Sequence, residues 1–422
     1  MLLISLFSTN FFIRKINMAT LLQINTMVNS GSTGKIAEEI GITVINKGWS
    51  SYIAFGRNQR ESKSELIRIG TDADIRMHGL STRFFDNHCF ASTKATEKFV
   101  SHLKEIHPDI IHLHNIHGYY LNMEVLFKYL SEANVPVVWT LHDCWPMTGH
   151  CSYFDFVNCN KWETECHDCP NLRAYPETLF WDRSRKNFNK KRKVITAYPN
   201  ITFVTPSEWL KDIVKRSFLK DYDVKVINNG INLEIFKPYD NNEVRNKYGI
   251  QKDVKLIIGV ASVWDRRKGL ADFIELGKLL REDERILLVG LKKEQTEGLP
   301  QNIIPLQRTE NMQQLAALYS TADVFVNPTW VDNFPTTNIE ALACGTPIVT
   351  YRTGGSPEAV SKETGAVVER GNVQALYDAI SEIEKQGKKS FVDLCRNRAV
   401  SLYNKDDRFI DYFNLYKSLL HV

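Results

Sequence analysis

The chain has 422 residues, enough for two or three domains; 43% are hydrophobic and 24% charged, the mix of a globular protein that buries a large core. A formal net charge of only +4 gives no reason to expect nucleic acid as a partner. No apolar run reaches the roughly 18 residues that a membrane-crossing helix needs.

The start, "MLLISLFSTNFFIRKIN", is apolar but has neither a basic leader nor a cleavage site. Residues 1–17 are expected to be a loose extension or a mis-assigned start, with a membrane-touching segment as the alternative. The first strand is expected from Thr20, in "TLLQINTM". It runs into the loop "VNSGSTGK" and a helix with Ile36, Ile40 and Val44 at helical spacing. The loop is not a P-loop. Only two residues separate Gly31 from Gly34, where a P-loop has four, and Ile36 follows Lys35 where a metal-binding hydroxyl should stand. The dinucleotide fingerprint fails as well. What remains is a glycine turn at a helix N-terminus, which either meets an anion with backbone N–H groups or is a plain tight turn.

Further along, "SSYIAFG", "DIIHLHN", "PVVWTLH", "ITFVTPS" and "VKVINNG" read as short strands rich in β-branched residues, separated by helical patterns. The polar stretch "KPYDNNEVRNKYG" interrupts, and strands resume with "KLIIGVA", "RILLVG", "DVFVNP" and "PIVTY". Alternation of this kind predicts an α/β protein with two Rossmann-like doubly wound domains facing a central cleft, and ligands at the carboxyl ends of the strands. The expected domains are residues 18–235, carrying a Cys-rich loop over 144–169, and residues 236–405. A final helix over 406–422 is expected to pack back onto the first domain.

The most specific segment is "ADVFVNPTWVDNFPTTNIEALACGTPIVTYRTGGSPEAV", residues 322–360. An acidic residue, Asp332, follows a strand. The turn Asn333, Phe334, Pro335, Thr336, Thr337 and Asn338 leads into a helix and can offer N–H groups to phosphate. Glu340, one turn in, can accept hydrogen bonds from two ribose hydroxyls. "TGGSPE" is read as a glycine turn that lets a ligand approach the backbone.

These motifs resemble the nucleotide-sugar signature of glycosyltransferase family 4, retaining enzymes of the GT-B fold, in which E-x7-E precedes "EAMACGxPVV" and "GGxPE". Here Asp332 stands in the place of the first Glu and Glu340 eight positions on. "VINNGINLEIFKP" resembles the family's inter-domain segment and "TPSEWLKD" another of its stretches, so the likeness covers nearly the whole chain. The resemblance makes Gly31 a glycine facing the donor diphosphate. It places Lys268, in "GVASVWDRRKGL", on the diphosphate. The family's arginine, five positions earlier, is replaced by Val263, so Arg267 or Arg266 is expected to supply that charge. His142, in "TLHDCW", takes the place of a histidine beside the transferred sugar, and Asn115 and His117 are assigned to the acceptor side. His112 is read as a core residue.

The resemblance implies transfer of a sugar from a nucleotide-diphosphate donor to a glycan or polyprenyl-linked acceptor in surface-polysaccharide assembly, with His142, Asp332 and Lys268 as catalytic residues. No cofactor is required for this chemistry. Localisation is expected to be cytoplasmic, with contact to the inner membrane face.

Eight cysteines without a secretory signal suggest a reducing compartment. Cys151, Cys159, Cys166 and Cys169 are spaced C-x7-C-x6-C-x2-C, which admits either a structural zinc or reduced thiols. "RSRKNFNKKRK", residues 183–193, has seven cations and no acid, and reads equally as a solvated face or as a site for anionic lipid. Three rivals remain. A metal-dependent transferase would use a D-x-D such as Asp72–Asp74. An NAD-dependent oxidoreductase would need the missing fingerprint. A non-catalytic nucleotide-sugar or lipid-linked-glycan binding protein could keep the fold.

Overall fold

The computed structural model describes residues 18–239 and 242–422, so the extension over residues 1–17 lies outside the described part. The chain forms two compact units. One takes the residues up to Pro206 with Leu210–Ile227 and Phe409–Val422, and the other takes Ser207–Trp209 and Asn228–Arg408.

The first unit holds a parallel sheet of β1 (Thr20–Asn25), β2 (Ser50–Phe55), β3 (Glu65–Arg68), β4 (Ile110–Leu113), β5 (Val137–Thr140), β6 (Ile201–Thr205) and β7 (Asp223–Val226). Their spatial order is β3-β2-β1-β4-β5-β6-β7. Central strands of such a sheet are covered on both faces, which is why Leu21, Leu22, Ile24, Ile110, Ile111 and Leu113 are all fully buried, in runs interrupted only by the buried Gln23 and His112. Helix Gly31–Asn46 buries Ala37, Ile40 and Val44. Phe409, Tyr412 and Tyr416, from the end of the chain, pack in the same core as Leu21, Ile40, Ile110 and Val138.

The second unit holds β8 (Lys255–Val260), β9 (Glu284–Val289), β10 (Ile303–Leu306), β11 (Val324–Asn327), β12 (Ile348–Tyr351) and β13 (Gly365–Val368), all parallel, in the order β10-β9-β8-β11-β12-β13. Leu256, Ile257, Ile258, Phe273, Phe325, Ile339 and Ile348 belong to one core.

Three strands escape the sequence reading: β3, β10 and β13. Each closes an edge of its sheet. An edge strand is covered less, so it need not be an apolar run: no residue of β3 or β13 is fully buried.

Strand order reverses between β1 and β4 in the first sheet and between β8 and β11 in the second. At such a point the loops leaving neighbouring strands run apart and open a crevice beyond the carboxyl ends. Among the described residues no helix is long and apolar enough to cross a membrane.

Candidate functional site

In the second unit the loops after β8 and β11 flank the reversal. The first makes a short turn, Arg266–Lys268, capped by Asp265, whose carboxylate accepts from the Arg267 N–H at 2.9 Å. Gly269 closes the turn at φ +75°, and a Cβ there would stand 2.3 Å from the Pro328 oxygen. Glycine is therefore required for the two loops to touch. They are tied by the Trp330 N–H donating to Arg267 O at 2.7 Å and by an ion pair between Lys268 Nζ and Asp332. The Arg267 guanidinium is turned onto Asp265, with Nε and Nη2 at 3.0 and 2.9 Å.

Helix Thr336–Ala343 then starts at Pro335 with no side-chain cap. Glu340 lies half-buried one turn in and accepts from the Tyr319 hydroxyl at 3.0 Å. Not every residue of the turn faces outward. Phe334 is buried against Tyr403, ring centroids 5.7 Å apart. Asn338 is fully buried: its amide donates to Ser356 O and Oγ at 3.1 and 2.9 Å and accepts from Asn327 at 2.7 Å. Asn333, also buried, accepts from Ser207 Oγ at 3.1 Å. These three hold the turn in shape, while Thr336 and Thr337 are half-buried at the helix start.

The "TGGSPE" turn has a different reason from the one the sequence suggests. A Cβ on Gly354 or Gly355 would meet the Asp332 oxygen at 1.8 Å or the Asn333 oxygen at 2.1 Å. The glycines admit the protein's own backbone, not a ligand. Glu358 accepts from the N–H groups of Glu208 and Trp209 at 2.9 and 2.8 Å, a helix cap.

In the first unit the loops after β1 and β4 flank the reversal, tied by Thr26 Oγ1 donating to the Asn115 and His117 oxygens at 2.9 and 2.7 Å. Gly31 starts the helix that follows β1, exposed, at φ +65°. Asn115 is half-buried, and its oxygen also accepts from the Tyr120 hydroxyl at 2.9 Å. His117 Nε2 is 3.0 Å from Asp143 Oδ2, and its Nδ1 is 3.2 Å from the Tyr175 hydroxyl. Burial works against the Asp143 charge, yet His117 and the Trp145 N–H hold its carboxyl below the usual range.

His142, after β5, belongs to a chain of bonds that sets its tautomer. Gln23 Nε2 donates to Ala37 O at 2.8 Å, so Gln23 Oε1 must accept from His114 Nε2, 3.0 Å away. Burial keeps His114 neutral. Its Nδ1 is then bare and accepts from His142 Nε2 at 3.1 Å. Burial also pulls His142 down to about 4, against the opposing Asp143 charge. A neutral His142 that donates through Nε2 presents Nδ1 as an acceptor. Sequence reading missed Gln23, although a glutamine inside the apolar strand "LLQIN" was its signal. It also missed Asp143, the neighbour of His142. His112 is a core residue, bonded to the Tyr416 hydroxyl at 2.6 Å and Thr140 Oγ1 at 2.8 Å.

The zinc expectation is corrected. Cys151, Cys159, Cys166 and Cys169 line one small cavity with His150 and Trp162. Yet among the described residues no three His, Cys, Asp or Glu side chains are grouped so as to hold a metal ion. The thiols are engaged otherwise. Cys151 and Cys169 share a hydrogen bond that raises the first and lowers the second to about 7, and burial pushes Cys166 up to about 11. The loop is ordered by packing: Phe154 stacks on Trp162 at 4.6 Å, and buried Lys191 donates to the Trp145 and Thr148 oxygens at 2.7 and 2.9 Å. Lys191 thus leaves the cationic surface expected over residues 183–193. Asp72 and Asp74 are used up at a helix start: Asp74 forms a capping box with Thr71, and Asp72 pairs with Arg68.

Comparison with known proteins follows the same division. A family model described as Glycosyltransferase Family 4 matches residues 46–235, and one described as Glycosyl transferases group 1 matches residues 240–397. The putative colanic acid biosynthesis glycosyl transferase WcaC of Escherichia coli K12 is 24% identical over 417 residues, spanning 94% of this chain and 100% of that protein. Among solved structures, sucrose-phosphate synthase of Thermosynechococcus elongatus superposes with a TM-score of 0.70 at 20% identity, over 96% of this chain and 99% of its own. HepE of Anabaena, solved in complex with UDP, gives 0.68 at 15% identity, over 95% and 100%. Matched in succession by these two models over residues 46–235 and 240–397, the chain belongs to the family 4, group 1 glycosyltransferases and has their GT-B fold.

Proposed function

We propose that this glycosyltransferase is a retaining, metal-independent enzyme that moves a sugar from a nucleotide-diphosphate donor to a glycan or polyprenyl-linked acceptor in surface-polysaccharide assembly. It would work in the cytoplasm, against the inner face of the membrane. The observation that carries the reading is the grouping at the second reversal point. Two neighbouring strand ends supply an ammonium (Lys268), a guanidinium (Arg267), an uncapped helix start at Pro335 and a half-buried carboxylate (Glu340). Cations and N–H groups suit a diphosphate, and the carboxylate suits a ribose diol. The UDP held by HepE and the colanic acid role in the name of the E. coli relative support the same reading.

In this reading the bond from the anomeric carbon to the donor phosphate breaks while a bond to the acceptor oxygen forms on the same face. The departing phosphate takes the acceptor proton. Lys268, with Arg267 or Arg266, stabilises the growing phosphate charge, and Asp332 holds Lys268 in place. Thr336 and Thr337 meet the phosphates from the helix start, with Asn333, Phe334, Pro335 and Asn338 shaping the turn behind them. The first unit supplies the loop at Gly31 and the His142 Nδ1 acceptor for a sugar hydroxyl. Asn115 and His117 face the acceptor.

NMR of the product's anomeric proton tests the stereochemistry, with and without chelator. A retained configuration and undiminished transfer are expected. An inverted product, or activity lost to chelator and restored by manganese, overturns the mechanism. Calorimetry tests the nucleotide site: Glu340→Gln is expected to weaken nucleoside-diphosphate binding by about 1.5–3 kcal/mol, and unchanged affinity in a folded variant removes Glu340 from the site.

A further inference from the structure

One surface of the first unit leaves large apolar side chains in solvent. On helix Asp72–Phe85, Met77, Leu80, Phe84 and Phe85 follow at helical spacing and form one stripe. Phe180 and Trp181 stand beside it, from the segment that precedes helix Ser184–Thr196. All six are 39 to 71% exposed. The two segments form one surface. The Phe84 and Phe180 rings stack at 5.8 Å, the Leu179 N–H donates to Arg83 O at 2.8 Å, and Arg83 pairs with Glu177 at 2.7 Å. A contiguous exposed patch of this kind marks an interaction site.

Its border is cationic. Arg76 lies along the helix, Arg183 sits 6.0 Å over the Phe85 ring, and Lys186, Arg192 and Lys193 are exposed on the helix that follows, while Arg83 and Arg185 pair with Glu177 and Glu165. The acids nearby are bound internally. Asp72 pairs with Arg68 and Glu177 with Arg83, Asp74 caps its own helix, and Asp182 accepts from the Cys169 and Ser184 N–H groups at 2.7 and 2.8 Å. Aromatic and aliphatic side chains ringed by Arg and Lys match the boundary layer of a bilayer, where rings enter between head groups and cations meet their phosphates. Tyr175, whose hydroxyl is 3.2 Å from His117 Nδ1, lies five residues before Phe180.

We propose that the stripe Met77, Leu80, Phe84 and Phe85, together with Phe180 and Trp181, seats the first unit on an anionic lipid bilayer. This deepens the membrane-surface part of the functional reading, and vesicle binding is measured without donor or acceptor, so either can fail while the other stands.

The experiment is flotation of the full chain with vesicles of phosphatidylglycerol and phosphatidylcholine, and of phosphatidylcholine alone. The wild type is expected to float with the anionic vesicles and much less with the neutral ones. Phe180→Ser combined with Trp181→Ser is expected to lower the bound fraction about tenfold or more. Both residues are exposed, so the melting temperature should hold, and Met77→Ser with Phe84→Ser provides a second pair on the other segment. A wild type that stays unbound with anionic vesicles overturns the proposal, as does either double variant floating undiminished. A wild type that sediments as a dimer, is split to monomers by these substitutions and ignores vesicles assigns the surface to a second copy instead.

Discussion

The two sheets reverse their strand order in the same way, and the two reversal points are furnished in opposite ways. At the one between β8 and β11 the side chains are charged: Lys268 with Asp332, Arg267 with Asp265, and Glu340 near the helix start. At the one between β1 and β4 they are largely neutral and wired to one another: Gln23 to His114, His114 to His142, and Thr26 across both loops. The backbone device is shared, since in each unit one loop donates a hydrogen bond to the other across the crevice. A common fold thus leaves the chemistry to a few side chains at the strand ends. In the proposed reading the charged end binds the anion and the other end orients hydroxyls.

The sharpest break of that contrast removes the charge. Lys268→Ala is expected to cut turnover about 100-fold, because a cation facing developing phosphate charge is worth several kcal/mol in the transition state. The loss should exceed any fall in melting temperature, since both partners of the pair are partly exposed. Steady-state rates set beside thermal melts decide it. Wild-type turnover in the variant would leave the second reversal point without its proposed task.

Acid should separate the two units next. Burial holds His78 down to about 3 and His142 down to about 4 in the first unit, and His88, His112 and His114 also lie well below their ordinary value. Unfolded, each would take up a proton near pH 6.5. Between about pH 6.5 and 4 the unfolded chain therefore binds more protons, and stability falls as pH falls, by up to about 1.4 kcal/mol per pH unit for each such histidine. The second unit contains a group of opposite sign. Burial beside Glu284 raises Glu384 to about 7, so its contribution is full below the ordinary carboxylate value and is lost as pH rises through 7. Hydrogen exchange followed peptide by peptide from pH 7 to 4.5 should show the first unit losing protection before the second. Equal loss in both would remove the asymmetry.

How much of this was legible beforehand depended on burial. Nine of the ten strands read from the sequence lie inside their sheets, and only β7 is an edge. β3, β10 and β13 sit at the other edges, four residues each and only partly buried, and β10 is broken by Pro305. At the site, residue types and spacing pointed to the right loops but not to each side chain's direction. Asn338 and Phe334 belong to the same turn as Thr336, yet they point inward because Ser356 and Tyr403 offer them partners far away in sequence. The glycine pair was read as room for a ligand, and only the folded chain shows the Asp332 and Asn333 oxygens filling that room. The cysteine spacing is visible in the sequence, but spacing does not reveal that the free thiols of Cys151 and Cys169 share a hydrogen bond.

The finest test concerns the tautomer of His142. Gln23 lies fully buried in β1; it reaches His142 through His114, and its other bond holds Ala37 O in the helix that begins at Gly31. In Gln23→Leu the acceptor for His114 Nε2–H is gone. A buried donor without a partner costs about 1–3 kcal/mol, and His114 can escape by moving its proton to Nδ1. It would then donate to His142 Nε2, which must give up its own proton there, and His142 Nδ1 would become a donor instead of an acceptor. The expected outcome is a fall of kcat by about fivefold, the size of one misdirected hydrogen bond, with nucleoside-diphosphate affinity unchanged. Nitrogen-15 NMR of the imidazoles reports directly which ring nitrogen of His142 carries hydrogen, and should show the exchange from Nε2 to Nδ1. A variant that keeps the His142 tautomer while losing kcat would reduce Gln23 to a packing residue. One that loses nucleotide affinity instead would show that the neutral end of the molecule also takes part in holding the anion.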